Sequence, residues 1–457
     1  MEAPQSAGVA LINKHGEEHF GGCLQCTWTP TKGRIVHATR PYKAGDVILV
    51  ESPLHIVQEE SGSPAFVKLK ELCKRHQSSF DFEPLWYWCA LQSLTADQLR
   101  GALQGISGTK PQQMEKLLLL HHEEVTGPSG AAEIIVKQIC PNADPITLER
   151  LIQIWVLNCF EYSEDPQGFS TYFFSSFMSH SCFPNAVWYY EGCEHALRAR
   201  RDIRVGDEVC ISYLPEDVLL HACGPRRWEL HETKRFWCTC ERCAEGVKDL
   251  SRGHRCPACK GTVFANAPRS GPAENDQLLA RELEGASCES CGQKISKDVA
   301  NTFAKREEEL KKKLEVWKSN SAKLTLKSAQ ETEAFIEMYL PQHILGDNAW
   351  EKIADFHATA RRRSEHHRFL ALRCDFSRAA YDGLSGAHAW MLEAYADALC
   401  KSDQRGPSSS SAADNERALK LYDEAVVILK KMFGDEHEYV TQIESKRTPL
   451  IASLKGR

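Results

Sequence analysis

Residues 177–213, FMSHSCFPNAVWYYEGCEHALRARRDIRVGDEVCISY, limit the possible folds of this chain more than any other stretch. Ser179-His180-Ser181-Cys182 with Pro184-Asn185 is a polar, turn-forming knot wedged between two aromatic runs, and core strands do not read that way. Short β-prone runs follow at 187–190, 196–199 and 208–213, separated by Gly192 and the turn Arg204-Val205-Gly206-Asp207. The pattern predicts a small strand-rich fold with a polar knot at its centre.

The stretch resembles the second signature of the SET-domain protein lysine methyltransferases, N-H-S-C-x-P-N followed by G-[ED]-E-[LIV]-x-x-x-Y, which here read Ser179 to Asn185 and Gly206 to Tyr213. The first signature lies upstream. It reads Lys32-Gly33-Arg34-Ile35-Val36-His37-Ala38, then Gly45-Asp46-Val47-Ile48-Leu49-Val50-Glu51-Ser52-Pro53. Matches in the right order, followed by a cysteine cluster, are specific where any one alone would be weak. The resemblance covers 32–243 by motif and the remainder by architecture. Beyond the second signature the chain is similar to the SMYD branch, whose MYND zinc module normally interrupts the fold. Here only Cys73 and Cys89 precede Cys140 across the insert, so that module is missing. A frame of this kind without MYND resembles the apical complex lysine methyltransferases of apicomplexan parasites. This implies a cytoplasmic, cytoskeleton-associated enzyme at the cell apex that acts on non-histone protein.

At 457 residues the chain predicts two or three domains. A net charge of -6 argues against a general nucleic-acid binder, because neutralising phosphates needs a concentrated basic surface. No apolar run reaches membrane-spanning length and the N-terminus lacks a signal pattern, so a soluble intracellular protein is expected. The 19 cysteines fall largely in C-x-C and C-x-x-C groups, which in a reducing compartment read as metal ligands.

The fold class expected is α+β: a SET β-fold with a helical insert, a zinc-binding post-SET region and an all-helical, tetratricopeptide-like C-terminal domain. The boundaries expected are a flexible arm at 1–20, the N-terminal SET part at 21–63, a helical insert at 64–147 and the C-terminal SET part at 148–222. A post-SET zinc segment follows at 223–250, a zinc ribbon at 251–298 and the helical domain at 299–457. Residues 216–235 read as a helix interrupted by Pro225, and 406–411 as an exposed loop. The half-site Cys23 and Cys26 reads as incidental, with metal binding left open.

Cys238, Cys240 and Cys243 supply three thiolates, one short of a closed tetrahedral site, and the resemblance supplies Cys182 as the fourth. Cys256, Cys259, Cys288 and Cys291 form paired C-x-x-C knuckles that read as a second structural zinc. The cofactors expected are S-adenosylmethionine and two zinc ions. Carry-over by motif places Lys32, Gly33, Arg34, Ser179 and His180 at the cofactor, through backbone and imidazole, with Phe236 over the adenine. Tyr213 is the catalytic candidate at the methyl-transfer pore; Phe160, Tyr162 and Phe173 are candidates for the walls of the lysine channel. Ser179 stands where the family has asparagine and Ile35 where it has glycine, which puts cofactor affinity in question. These departures motivate an alternative, a zinc-stabilised SET-fold scaffold with little activity; another is a methyltransferase with a different acceptor side chain. The partner expected is a protein presenting a lysine; the oligomeric state stays open, a homodimer included.

Overall fold

The structure, a computed structural model, describes residues 2–268, 281–401 and 411–455. The glycine- and proline-containing stretch of the expected ribbon loop and most of the loop expected at 406–411 lie outside them. The N-terminal segment departs from expectation: Glu2–Phe20 is a helix, α1, and no free arm. Its Ile12 is fully buried in the main core, and a Cβ on Gly16 would press to 2.9 Å from the Phe174 ring. Val9, Leu11 and Phe20 pack half-buried against the same core, a signal missed because polar residues between them leave no continuous apolar stripe.

The SET part begins with hairpin β1 (Leu24–Thr29) and β2 (Gly33–Ala38), turned at Gly33 with φ +71, and continues with β3 (Val47–Glu51) and β4 (His55–Gln58). The insert is helical. It runs through α2 (Pro64–Arg75), α3 (Pro84–Gln92), α4 (Pro111–Leu117), α5 (Gly130–Gln138) and α6 (Pro145–Asn158). The sequence starts α6 with a proline at its first position and caps it with the Asp144 carboxylate, which accepts the Thr147 N–H at 2.9 Å. Leu148, Leu151, Ile152 and Trp155 then point into the core, at helical spacing.

Strands β5 (Phe160–Glu164) and β6 (Gln167–Thr171) join β4 in one sheet of order β4-β6-β5. Strand β7 (Ser179–His180) carries the knot, and β8 (Ala186–Glu191) with β9 (Glu194–Ala199) forms a hairpin turned at Gly192, φ +65, with β3 beside β9. Of the strand expected at 208–213, β10 (Cys210–Ile211) pairs parallel to β7, and Glu208 makes a single bridge to His37. Helix α7 (Cys223–Lys234) is continuous, because Pro225 sits in its first turn, where a missing N–H costs nothing.

The ribbon strands β11 (Lys248–Arg255) and β12 (Thr262–Asn266) pair antiparallel. The C-terminal part is helical, with α8 (Lys297–Ser319) and α9 (Leu326–Tyr339), the short β13 (Gln342–His343) on β11, then α10 (Ile344–Thr359) and α11 (Arg363–Ala380). It ends with α12 (Gly386–Cys400), α13 (Ala412–Phe433) and α14 (Glu438–Lys455). Val187 and Tyr189 of β8 share a core with α12, α13 and α14, so the helices lie on the back of the SET sheet. The buried Arg200 fixes this contact: it pairs with Glu216 at 2.6 and 3.0 Å and donates to the Leu384 carbonyl at 2.7 Å. Among the described residues no helix is long and apolar enough to cross a membrane.

Candidate active site

The two signatures, more than 120 residues apart in sequence, meet in space. Val209 donates to the Val36 carbonyl at 2.8 Å, Gly206 to that of Ala38 at 2.8 Å, and the Lys32 ammonium pairs with Glu208 at 2.6 Å. Asn185 ties the knot to the second signature through both ends of its amide. Its Nδ2 donates to the Glu208 carbonyl at 2.8 Å and its Oδ1 accepts the Cys210 N–H at 2.8 Å.

These elements wall a cavity of about 1430 Å³. Lys32, Gly33, Arg34, Ser179, His180 and Phe236 line it, as do Tyr213 and Phe160. Tyr162 and Phe173 do not. Phe173 is buried outside the wall, edge-on to His15 and Phe177, so it belongs to the core, and Tyr162 lies in β5 away from the cavity lining. Arg34 holds its guanidinium over the Phe177 ring at 4.9 Å and donates to the Leu119 carbonyl, both of them lining residues as well. Phe236 stands 6.1 Å from the His180 ring and 6.2 Å, edge-on, from Tyr213. It reaches there because Arg235, at φ 62, ends α7 in the left-handed conformation and turns the chain inward.

The Tyr213 hydroxyl donates to the Met178 carbonyl, and burial pushes the phenol up. With its proton committed, the oxygen keeps its lone pairs for the cavity. His180 corrects an expectation. Its Nδ1 accepts the Tyr213 N–H at 3.0 Å, so the proton lies on Nε2, which faces the Cys182 sulfur at 3.3 Å. Both ring nitrogens are thereby committed within the protein, and only the backbone of His180 stays available to a cofactor. Burial holds the imidazole down at about 3, so it is neutral.

Cys182, Cys238, Cys240 and Cys243 bring their four sulfurs within 4.8 Å of one another. The Cys182–Cys243 separation is 3.6 Å, against roughly 3.8 Å between sulfurs of a tetrahedral zinc site with bonds of about 2.3 Å. A thiolate set also wants positive or N–H partners. Cys240 accepts the Cys182 N–H at 3.3 Å, and the fully buried Arg226 aims Nη2 at Cys243 from 3.6 Å. Cys256, Cys259, Cys288 and Cys291 form a second such group, with pairs at 3.9 and 3.5 Å. The donor sets of both groups fit zinc. Cys23 and Cys26 do not converge: Cys23 donates to the Ile48 carbonyl and Cys26 toward that of Thr27, as buried core thiols.

A third buried group, His254, Glu307 and His343, also has metal-ligating side chains. Its hydrogen bonding excludes a metal in this arrangement. His343 Nδ1 accepts the Leu345 N–H at 3.1 Å, so Nε2 carries the proton and donates to Glu307 at 2.9 Å. His254 donates to the same carboxylate at 2.8 Å and Arg252 grips it at 2.7 and 2.9 Å. The cluster is a clamp between the ribbon and α8.

Sequence reasoning missed four residues near the site. The Glu51 carboxylate, buried behind β3, accepts the Phe174 N–H at 2.6 Å, the Ser175 N–H at 2.8 Å and the Ser175 hydroxyl at 2.7 Å. Its signal was present in the E-x-P of the first signature. Arg200 and Arg226 read as surface charges in sequence, and nothing local marks them as buried. Lys234, at the end of α7, also lines the cavity.

Residues 33–214 match the SET domain family model. Relatives include the histone-lysine N-methyltransferase ASHR1 of Arabidopsis thaliana, 29% identical over 182 residues, a match spanning 38% of this chain and 33% of ASHR1. The histone-lysine N-methyltransferase SMYD3 of Homo sapiens is 42% identical over 74 residues, 16% of this chain and 17% of that protein. The N-lysine methyltransferase SMYD2 of Homo sapiens is 35% identical over 75 residues, again 16% and 17%. The chain thus matches a third or less of the length of these relatives. Among solved structures, the SET domain of LSMT bound to lysine and AdoHcy matches at TM-score 0.31 and 11% identity, over 98% of this chain and 92% of that one, a likeness too loose to carry an argument. With the two signatures meeting around one cavity and the family model spanning them, residues 33–214 carry a SET domain, similar in sequence to parts of the SMYD and ASHR1 lysine methyltransferases.

Proposed function

We propose that this chain transfers a methyl group from S-adenosylmethionine to the side-chain amine of a lysine in a protein. The observation that carries the reading is the convergence of Tyr213, Phe236 and the Ser179-His180 backbone on one cavity, closed behind by the Cys182 thiolate group. Bound there, S-adenosylmethionine would supply an electrophilic methyl on a sulfonium. Gly33 at positive φ keeps the first turn free of a side chain, Phe236 offers a ring face, and the Tyr213 oxygen can accept weak C–H contacts from the methyl. Transfer is an in-line displacement, so alignment and exclusion of water carry most of the acceleration. The acceptor amine must be neutral. The Phe160 ring on the cavity wall favours that state by penalising the ammonium.

Zinc in the two four-cysteine groups would be structural, the first binding the post-SET segment to the knot and the second shaping the ribbon. The proposal extends to a non-histone, cytoskeleton-associated acceptor in the cytoplasm at the cell apex, which rests on the resemblance of this MYND-less frame to the apical complex methyltransferases. Fluorescence microscopy of the tagged chain tests that location, and a nuclear signal would sink it. The activity is tested with tritiated S-adenosylmethionine and a mixed protein lysate, followed by amino-acid analysis of the labelled product. Label on methyllysine is expected. Label on another side chain would change the acceptor; no label and no thermal shift with the cofactor would leave a zinc-stabilised scaffold.

A further inference from the structure

Two lysines line the cavity, and they stand in opposite electrostatic states. Lys32 is exposed and ion-paired with Glu208 at 2.6 Å; burial lowers its pKa, but the Glu208 hydrogen bond and charge outweigh it and hold the ammonium above its usual range. Lys234 has no carboxylate partner among the described residues. Its Nζ donates to the backbone carbonyl of Leu157 at 3.0 Å, one of the last four carbonyls of α6, which have no partner within the helix. Burial depresses its pKa, with the neighbouring Cys159 pulling weakly the other way.

The position follows from the local fold. Helix α7 ends at Lys234, Arg235 turns the chain at φ 62, and Phe236 enters the cavity wall, so the lysine stem is delivered to the same cavity two residues before the aromatic lid. On the other side of its amine, α6 ends and the chain passes through Asn158 and Cys159 to Phe160, all of them lining residues. A single hydrogen bond to a neutral carbonyl uses one N–H of an amine and leaves its lone pair free. Once its proton is lost, which burial favours, this amine has the lone pair that methyl transfer needs, and it is tethered at the cavity wall.

We propose that Lys234 is an internal acceptor, methylated by its own chain. This rests on reading the cavity as a methyl-transfer site. The Nζ lone pair forms the new N–C bond as the C–S bond of the sulfonium breaks, and the pair of that bond stays on sulfur as a thioether. The proton displaced from Nζ leaves to water. Tethering converts a bimolecular encounter into an intramolecular one, so an internal amine competes with an external lysine for the same arm of the cavity.

The test incubates the full-length, zinc-loaded chain, without added acceptor, with S-adenosylmethionine bearing a deuterated methyl group, and maps the label by mass spectrometry. The expected result is whole-methyl increments at Lys234, at a per-chain rate independent of protein concentration. They should be lost completely in Lys234→Arg and slowed roughly 10²- to 10³-fold in Tyr213→Phe. Lys234 already methylated as purified, but unmethylated in Tyr213→Phe, is the same result reached before incubation. Label confined to other lysines, or a rate that rises with protein concentration, overturns the proposal. So does an unlabelled Lys234 in a preparation that labels lysate proteins. A chain that neither labels any protein nor shifts its melting temperature with S-adenosylhomocysteine defeats the reading of the site itself, and the internal acceptor with it.

Discussion

The hydroxyl of Tyr213 is committed as a donor to Met178, which leaves its oxygen as an acceptor facing the cavity, and this division of labour decides what its loss should do. Tyr213→Phe keeps the ring against Phe236 and His180 and removes only the oxygen. Transfer should fall roughly 10²- to 10³-fold, as when one positioned polar group is removed from a transition state, while cofactor affinity by calorimetry stays near the parent's. Near-normal turnover would take Tyr213 out of the chemistry. His180 behaves differently from what its sequence neighbours suggest. The motif locates it correctly on the wall, but no sequence pattern reveals where two ring nitrogens point. In His180→Val the Tyr213 N–H loses its acceptor and Cys182 loses a donor, so zinc at the knot should bind roughly 10- to 100-fold more weakly by competition with a chromophoric chelator. An unchanged zinc affinity would show that the 3.3 Å contact with sulfur has no consequence.

At the scale of elements, the two four-cysteine groups have different neighbours and should fail differently. The knot group ties β7 and the segment after α7 together, and Arg242 reinforces the join by donating to the Cys182 carbonyl at 3.0 Å and that of Leu219 at 2.9 Å. Closing a thiolate site supplies folding free energy on the order of 10 kcal/mol in small zinc modules. Cys182→Ser should therefore cost one zinc, free Phe236 and abolish cofactor binding. Cys256→Ser should also cost one zinc but loosen only the ribbon, leaving measurable transfer. Metal analysis giving one zinc for the parent, or a Cys182→Ser chain with two, would break this account. The spacing of these cysteines was legible because ligand geometry leaves a short-range imprint on sequence. The lysine-channel walls were legible only in part: Phe160 lines the cavity, whereas Phe173 is spent on the core. An aromatic residue reads the same whether its face meets a ligand or a neighbour. Helix α1 was hard to read for a related reason, since one buried isoleucine, a glycine packed on Phe174 and the half-buried Val9, Leu11 and Phe20 make only a faint periodic pattern.

Across the whole molecule, beside the pairing of β11 with β13, one buried carboxylate clamps the ribbon to the C-terminal helices: Glu307 of α8 accepts from Arg252 and His254 of β11 and from His343 beside α10. The charges are far apart in sequence, so the clamp could not be read from it. Burial holds His254 at about 4, against 6.5 for the free side chain. Between those values the unfolded chain binds more protons than the folded one, so stability at this joint falls as pH drops from 6.5 to 4 and the loss is complete below that. Glu307, buried but held well below its usual range by Arg252 and the two histidines, acts with the same sign at still lower pH. Glu282, which pairs with Arg252, opposes both: burial raises it to about 7, so its contribution weakens as pH rises. The slope of the parent alone therefore mixes signs, and the informative comparison is with His254→Gln, which keeps a hydrogen-bonding side chain that cannot titrate. Hydrogen exchange across 248–255 and 342–343 should show the parent losing more protection than the variant between pH 6.5 and 4. Parallel profiles for the two chains would mean that His254 does not titrate in the joint and that the clamp owes its pH response to Glu307 and Glu282 alone.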